Sequence, residues 1–181
     1  MNKLFWGFFF LFLNFNLNLG SLRLNLLPDW AGLILLYLAC GELDRESEQF
    51  AKIRPFCLGL AAATGVLWVL SFFGININPP IVSWVLGIAV MCLELYTSMM
   101  FVDALSNVEM RRNYDLRISF LRKSWKVTAF STFLSGVFIV FPVIALALSL
   151  VATIATILFL VAVHGTRKAW RNMLDEQSTP L

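Results

Sequence analysis

Six long apolar runs, separated by shorter polar stretches, constrain the fold of this chain more than any motif does. They cover residues 4–19, 27–43, 56–73, 81–101, 127–141 and 143–163. A bilayer core of about 30 Å needs roughly 20 apolar helical residues, although shorter spans are tolerated. The 181-residue chain is 59% hydrophobic and 14% charged, which is far more apolar than a soluble domain of this size. The sequence therefore predicts an all-α fold, a polytopic membrane bundle of six transmembrane helices.

Proline positions support these boundaries. Pro28, Pro55, the Pro79–Pro80 pair and Pro142 each stand at the start of an apolar run, where a helix does not need the missing N–H and the fixed φ suits the first turn. Residues 127–163 as one helix would be roughly 55 Å long, which is too long for a single crossing. We therefore divide them at Pro142.

The basic residues predict an orientation. If the N-terminus is cytoplasmic, then Lys3, residues 41–54, residues 103–126 and the tail 167–181 are also cytoplasmic, and these regions hold all 14 basic residues except Arg23. Short loops rich in Lys and Arg stay inside. Both termini are thus predicted to be cytoplasmic, with residues 1–166 forming a single transmembrane domain.

The connector of residues 103–126 is predicted to be a cytoplasmic amphipathic helix. Its larger apolar residues recur at helical spacing from Tyr114 to Trp125. Its basic residues are expected to lie near anionic lipid headgroups; these are Arg111, Arg112, Arg117, Arg122 and Lys123. Nucleic-acid binding is not favoured, because ordinary cytoplasmic loops of membrane proteins have the same composition.

The first candidate site lies where the first two runs meet. Asn14 and Asn18 are four residues apart and would share a face of the first helix. Their amides could bind a polar ligand or a cation, or they could mark the outer membrane interface. Asp29 in L-P-D-W-x-G suits the first turn of a helix, where the dipole favours a carboxylate. It could instead be a ligand contact beside Arg23.

The second candidate is Glu94 in the fourth run. It lies 13 residues after Ile81, about 20 Å along a helix, which places it inside the hydrocarbon. An acid at that depth is costly and indicates function unless the membrane ends near Leu93. Thr97 and Ser98 would share its helix face.

The sequence lacks the residue patterns that several kinds of metal, nucleotide-binding and catalytic site require. One His and three Cys, with no H-E-x-x-H or C-x-x-C pattern, argue against a zinc site. There is no Walker A or G-x-S-x-G sequence. No catalytic set, cofactor or metal is predicted, so the chain is not expected to be an enzyme.

Two resemblances extend this interpretation. The start K-L-F-W-G-F-F-F-L-F-L-N-F-N-L-N-L-G, with L-L-P-D-W-x-G and F-A-K-I-R-P-F after it, resembles a family of small, uncharacterised bacterial multi-pass membrane proteins. This resemblance implies a bacterial inner or plasma membrane and no particular activity. Six spans with both termini inside are also similar to the substrate-binding subunits of energy-coupling-factor transporters. Those subunits dock through an A-x-x-x-A surface on the first span, and this first span has no alanine.

Two functions remain. The first is a small transporter or ligand-binding membrane subunit whose pocket is lined by Asn14, Asn18, Asp29 and Glu94. The second is a non-catalytic membrane protein that docks a protein partner through its cytoplasmic loops, above all residues 42–54.

Overall fold

The computed structural model describes residues 1–13, 16–19, 22–25, 28–73, 80–138 and 141–178. Within them the chain forms six helices and one two-stranded antiparallel hairpin. In chain order the elements are α1 (Asn2–Phe12), β1 (Asn16–Leu19), β2 (Leu22–Asn25), α2 (Asp29–Leu43), α3 (Glu48–Phe72), α4 (Pro80–Arg112), α5 (Ile118–Val137) and α6 (Pro142–Ser178).

Three of the described helices are long and apolar enough to cross a membrane. These segments are Glu48–Ser71 in α3, Ile81–Arg112 in α4 and Val143–Glu176 in α6. They confirm the prediction of a helical membrane protein. The six predicted spans are not all reproduced, because α1 has 11 residues and α2 has 15, fewer than the roughly 20 that a straight crossing needs.

The predicted first span, residues 4–19, is helical only as far as Phe12. Residues 16–19 form β1, which pairs with β2 in a register that sets Leu17 against Leu24 and Asn18 against Arg23. The sequence explains this difference, because asparagine alternates with an apolar residue from position 14 to 19, and a period of two is a strand pattern. The prediction that Asn14 and Asn18 share a helix face is therefore wrong.

The predicted connector helix of residues 103–126 is divided between α4 and α5. Asn113 and Arg117 adopt positive φ angles of 49° and 61°, which end one helix and redirect the chain before the next. The Glu109 carboxylate accepts the backbone N–H groups of Leu116 at 2.8 Å and Ile118 at 3.2 Å. This carboxylate replaces the missing intrahelical acceptors at the start of α5.

The predicted division at Pro142 is confirmed, since α5 ends at Val137 and α6 begins at Pro142. Helix α6 then continues to Ser178, well past the predicted domain boundary at residue 166.

Helices α1 and α2 cross closely at two glycines. A Cβ atom at Gly32 would lie 2.8 Å from the carbonyl oxygen of Gly7, and one at Gly7 would lie 2.7 Å from the Leu36 side chain. Small residues at such crossings let helix backbones approach within a membrane. The crossing also fixes the position of Asp29, which lies one helical turn before Gly32.

Aromatic side chains join α1 to the long helices. Phe8 is buried, and its ring centroid lies 5.6 Å from that of Phe101 in α4 and 5.3 Å from that of Phe159 in α6, both in edge-to-face geometry. This geometry is the one that aromatic pairs prefer.

Ion pairs collect at one end of the bundle, which we call the ion-paired end. There Lys3 contacts Glu42 at 2.7 Å, Arg112 contacts Glu46 at 2.7 Å, and Arg122 contacts Asp103 at 2.8 Å. These contacts bring together the start of α1, the end of α2, the end of α4 and the start of α5.

Candidate functional site

Asp29 is the first residue of α2, and Pro28 before it supplies no side-chain hydrogen bond to the helix end. The residue is partly buried, but its Oδ1 atom is fully buried and has no hydrogen-bond partner. The N-terminal dipole of α2 favours a carboxylate here. The dipole does not give Oδ1 a hydrogen-bond partner. The predicted role as a helix start therefore does not account for the whole side chain.

Glu94 lies inside α4, 14 residues after Pro80 and 18 before Arg112, about 21 Å and 27 Å along the helix axis. Its Oε1 atom is also buried and unpartnered. No helix dipole reaches this interior position, because the dipole acts within the first and last turns. Glu94 therefore lies well inside a helix that is long and apolar enough to cross a membrane, and its depth in the bilayer stays a prediction.

The charge of Asp29 acts on Glu94, although the two residues are 65 positions apart in sequence and their helices make no close backbone contact among the described residues. We call these residues the acid pair. Two like charges in a poorly hydrated place disfavour each other and gain from any positive group that joins them.

The indole of Trp30 carries a further buried polar atom without a partner. It follows Asp29 directly in α2, and its Nε1 atom is buried without an acceptor. Its ring packs edge-on against Trp68 of α3, with centroids 6.2 Å apart. It also contacts the backbone position of Gly65, where a Cβ atom would lie 3.7 Å from the Trp30 side chain.

The hydroxyls predicted to accompany Glu94 have other partners. Thr97 Oγ1 donates to the Leu93 carbonyl at 2.8 Å, and Ser98 Oγ donates to the Leu95 carbonyl at 2.7 Å. Ser98 Oγ also accepts the Trp125 Nε1–H at 2.8 Å. The Ser98 hydroxyl therefore links α4 to α5, the Thr97 hydroxyl bonds within α4, and Glu94 Oε1 stays without a partner.

The asparagine part of the predicted pocket is not reproduced as proposed. Asn14 lies outside the described residues, and Asn18 belongs to β1, opposite Arg23. Of the four predicted site residues, Asp29 and Glu94 are linked by the charge that Asp29 exerts on Glu94. Trp30 follows Asp29 in the L-P-D-W-x-G motif, and the sequence does not distinguish an indole beside lipid headgroups from an indole in a binding site.

A pair of thiols also comes together, between α2 and α3. Cys40 and Cys57 are both fully buried free thiols that interact with each other. Next to them the guanidinium of Arg54 lies 4.5 Å from the centroid of the Tyr37 ring and donates to the Tyr37 hydroxyl at 3.0 Å. These contacts fasten α2 to α3 near the ion-paired end.

The ion-paired end contains a polar cavity of about 600 Å³ between the start of α3 and the last turns of α4. It is lined by Ser47, Glu48, Gln49, Lys52, Asn107, Met110 and Arg111. Among the described residues, no group of three His, Cys, Asp or Glu side chains could hold a metal ion, here or at the acid pair.

Comparison with known proteins gives no further assignment: no family model, curated protein or solved structure matches this chain.

Proposed function

We propose that this protein is a small transporter or ligand-binding membrane subunit, and that its ligand binds at the acid pair. The observation that carries the proposal is that Asp29 and Glu94, from separate helices, each bury an oxygen atom without a partner. Buried carboxyl groups without partners cost free energy, so their presence inside a membrane bundle favours a functional role.

The surrounding fold supports a binding site more than a structural ion pair. Helix α1 ends and α2 begins close to Asp29, since a Cβ atom at Gly32 of α2 would meet the backbone of Gly7 and Leu11 in α1. Binding sites in helical transporters commonly lie where helices are broken or short, because polar groups are then available at membrane depth.

Native mass spectrometry of the protein, extracted gently from its own membrane, tests this function. We expect a reproducible small adduct that is lost in Asp29→Asn and in Glu94→Gln. The matched control is Asp103→Asn, which removes an acid at the ion-paired end and should retain the adduct. An adduct that persists in all three variants, or no adduct at all, would contradict the proposal.

A second candidate function is docking of a protein partner at the ion-paired end. The polar cavity there favours it, because Glu48 and Lys52 offer charges of both signs at its wall. Residues 42–54 already use Glu42 and Glu46 in internal ion pairs. Charge reversal at Glu48 and Lys52 is therefore the informative change, and it should release a stoichiometric partner in the same mass spectra.

Two features support a proposed location of the protein in the cell. The resemblance to small bacterial multi-pass proteins and the distribution of basic residues support a bacterial inner or plasma membrane, with both termini and the ion-paired end in the cytoplasm. Anionic lipid headgroups remain the proposed partners of the basic residues between Arg111 and Lys123. Two of these five, Arg112 and Arg122, also have acidic partners within the chain.

A further inference from the structure

The contact between α2 and α3 contains two cysteines. Cys40 and Cys57 are free thiols, and neither has solvent-exposed surface. They interact with each other across the two helices. A buried cysteine often serves only as a small apolar side chain, so burial alone does not indicate a function for this pair.

The register of the two helices places these thiols on facing positions. A Cβ atom at Gly65 of α3 would lie 3.7 Å from the Cβ atom of Trp30 in α2. Towards the other end of the contact, a Cβ atom at Gly41 would lie 3.8 Å from Cζ of Arg54. The helices are therefore antiparallel, and each step forward in α2 is matched by a step back in α3. This register sets the two cysteines within one helical turn of each other.

A positive charge that no acid of the described chain pairs with lies beside the thiols. Arg54 is partly buried and donates to the Tyr37 hydroxyl at 3.0 Å, while its Nε atom is buried without a hydrogen-bond partner. It takes part in none of the ion pairs among the described residues. Arg54 precedes Cys57 by one turn of α3 and contacts the position of Gly41, next to Cys40. An anion close to such a cation stabilises it, so this place suits a group with one negative charge.

We propose that Cys40 and Cys57 bind a monovalent copper ion, Cu(I), in two-coordinate geometry. Thiolate sulfur is a soft ligand that selects Cu(I). On binding, Cu⁺ and the two S–H groups give a bis(thiolate) copper complex with one negative charge, and two protons are released. The Arg54 guanidinium then balances the charge of that complex. This site is separate from the acid pair and goes beyond the proposed ligand-binding function.

The number of available ligands favours Cu(I) over the other metal ions that thiolates bind. Structural zinc sites have about four ligands. Among the described side chains, no third His, Cys, Asp or Glu joins the two thiols in a set that could hold a metal ion. Asp44 lies one turn after Cys40, but it is exposed. A soft monovalent ion is satisfied by a pair of sulfur ligands, which is what the two helices present.

Competition for Cu(I) tests this site. The purified chain, fully reduced and held in lipid nanodiscs without oxygen, is titrated against the Cu(I) complex of bicinchoninate, whose colour reports the copper that the chelator retains. We expect the protein to take about one copper ion per chain from the chelator. Cys40→Ser and Cys57→Ser should each abolish this competition. Cys92→Ser, which changes an exposed free thiol of α4, is the matched control and should retain it.

Arg54 is a positioning residue in this proposal, and two variants separate its charge from its packing. Arg54→Met removes the charge and should weaken Cu(I) binding by about 10–100-fold, as for other groups that support metal ligands. Arg54→Lys keeps the charge and should retain most of the affinity. Equal losses in the two variants would overturn the charge-balancing role of Arg54.

Copper K-edge X-ray absorption of the copper-loaded, unmodified chain tests the site without depending on whether a cysteine variant folds. We expect two sulfur neighbours around the copper and no nitrogen or oxygen neighbour. Additional ligands in the spectrum overturn the two-coordinate site. Competition that survives Cys57→Ser places the copper elsewhere and overturns the proposal, as does failure of the folded, unmodified chain to compete with the chelator.

Discussion

The ion-paired end and the acid pair both contain acidic side chains. These side chains have hydrogen-bond partners at the ion-paired end, whereas each member of the acid pair has a buried oxygen without one. At the ion-paired end, Glu46 accepts from Arg112 at 2.7 Å and 3.2 Å, and Glu109 accepts two backbone N–H groups. About 27 Å away along α4, Glu94 has a buried oxygen with no partner. Carboxylates at one place are used to join helices, and those at the other are held apart from any partner in the described chain.

This difference indicates that the acids that stabilise the bundle and the acids that are proposed to bind a ligand lie in different regions. Exposed ion pairs contribute little each, but they set which helix ends meet. Unpartnered buried acids lower stability, and proteins retain such costs mainly at functional sites. The same substitution, acid to neutral, is therefore expected to have opposite signs at the two places.

The largest effect on the free energy of unfolding is expected from Gly32→Ala. This change should also displace Asp29 of the acid pair, which lies one helical turn away. The added Cβ would lie 2.8 Å from the Gly7 carbonyl oxygen, a backbone atom that cannot rotate away. Overpacking of this kind costs about 1–3 kcal/mol. The measurement is SDS-induced unfolding in bicelles. Gly87→Ala is the control, because no atom lies within 4 Å of its Cβ, and equal destabilisation by both changes would refute the tight crossing.

Glu94→Met tests whether the acid pair lowers stability, because it removes a buried carboxyl group and keeps a side chain of similar volume. We expect the free energy of unfolding of the ligand-free protein to rise by about 1–3 kcal/mol, because replacing buried charged groups by apolar ones of similar size is often stabilising. Ligand binding should be lost at the same time. A clear loss of stability in the same unfolding assay would show that Glu94 has a structural partner.

Glu46→Gln is the matching change at the ion-paired end and should have the opposite sign. It weakens the contact with Arg112, whose side chain is 37% exposed while that of Glu46 is 20% exposed. Solvent screening limits the loss to about 1 kcal/mol or less. Raising the salt concentration should reduce the difference from the unchanged protein; a difference that does not depend on salt would argue against an electrostatic origin.

Lys3→Met should have the smallest effect, and it should depend on pH. The hydrogen bond from Lys3, with charges nearby, holds the pKa of Glu42 below its usual value; Glu42 lies outside the three candidate membrane spans. Because the folded pKa is lowered, the pair contributes stability above the unfolded pKa near 4.5, and this is lost as pH falls through the folded value. Glu42 is 47% exposed, so the contribution is well under about 1 kcal/mol. Unfolding curves at pH 7 should separate the variant slightly from the original chain, and those well below pH 4.5 should coincide.

Proline position predicted the starts of α2, α4 and α6, but the prediction that Pro55 starts a helix was wrong, because α3 begins at Glu48 with Ser47 as its N-cap and contains Pro55 in its interior. The helix start at Pro142 and the apolar segments of α3, α4 and α6 follow from local composition. Their formation depends little on contacts with distant parts of the chain. The α4–α5 break was missed because Tyr114 to Trp125 have helical spacing, and the positive φ angles of Asn113 and Arg117 depend on the Glu109 carboxylate several residues away.

The candidate site was predictable in part. Glu94 and Asp29 were each identified from their depth or their motif, but their electrostatic relation depends on how α3 packs against both α2 and α4. The first helix was extended too far because the apolar residues between the asparagines satisfied a hydropathy count. Their alternation, followed by Gly20 and Ser21, is a hairpin pattern that a period-two search would have found.

The aromatic contact between α1 and α6 has a consequence for how the chain is made. With 11 residues, α1 is about 16 Å long and cannot hold itself across a bilayer. Its Phe8 and Phe12 rest on Phe159, which the ribosome adds about 150 residues later, on the order of ten seconds at typical synthesis rates. Helix α1 is thus made well before the helix that buries its rings, and its packing is completed only after α6 has been synthesised.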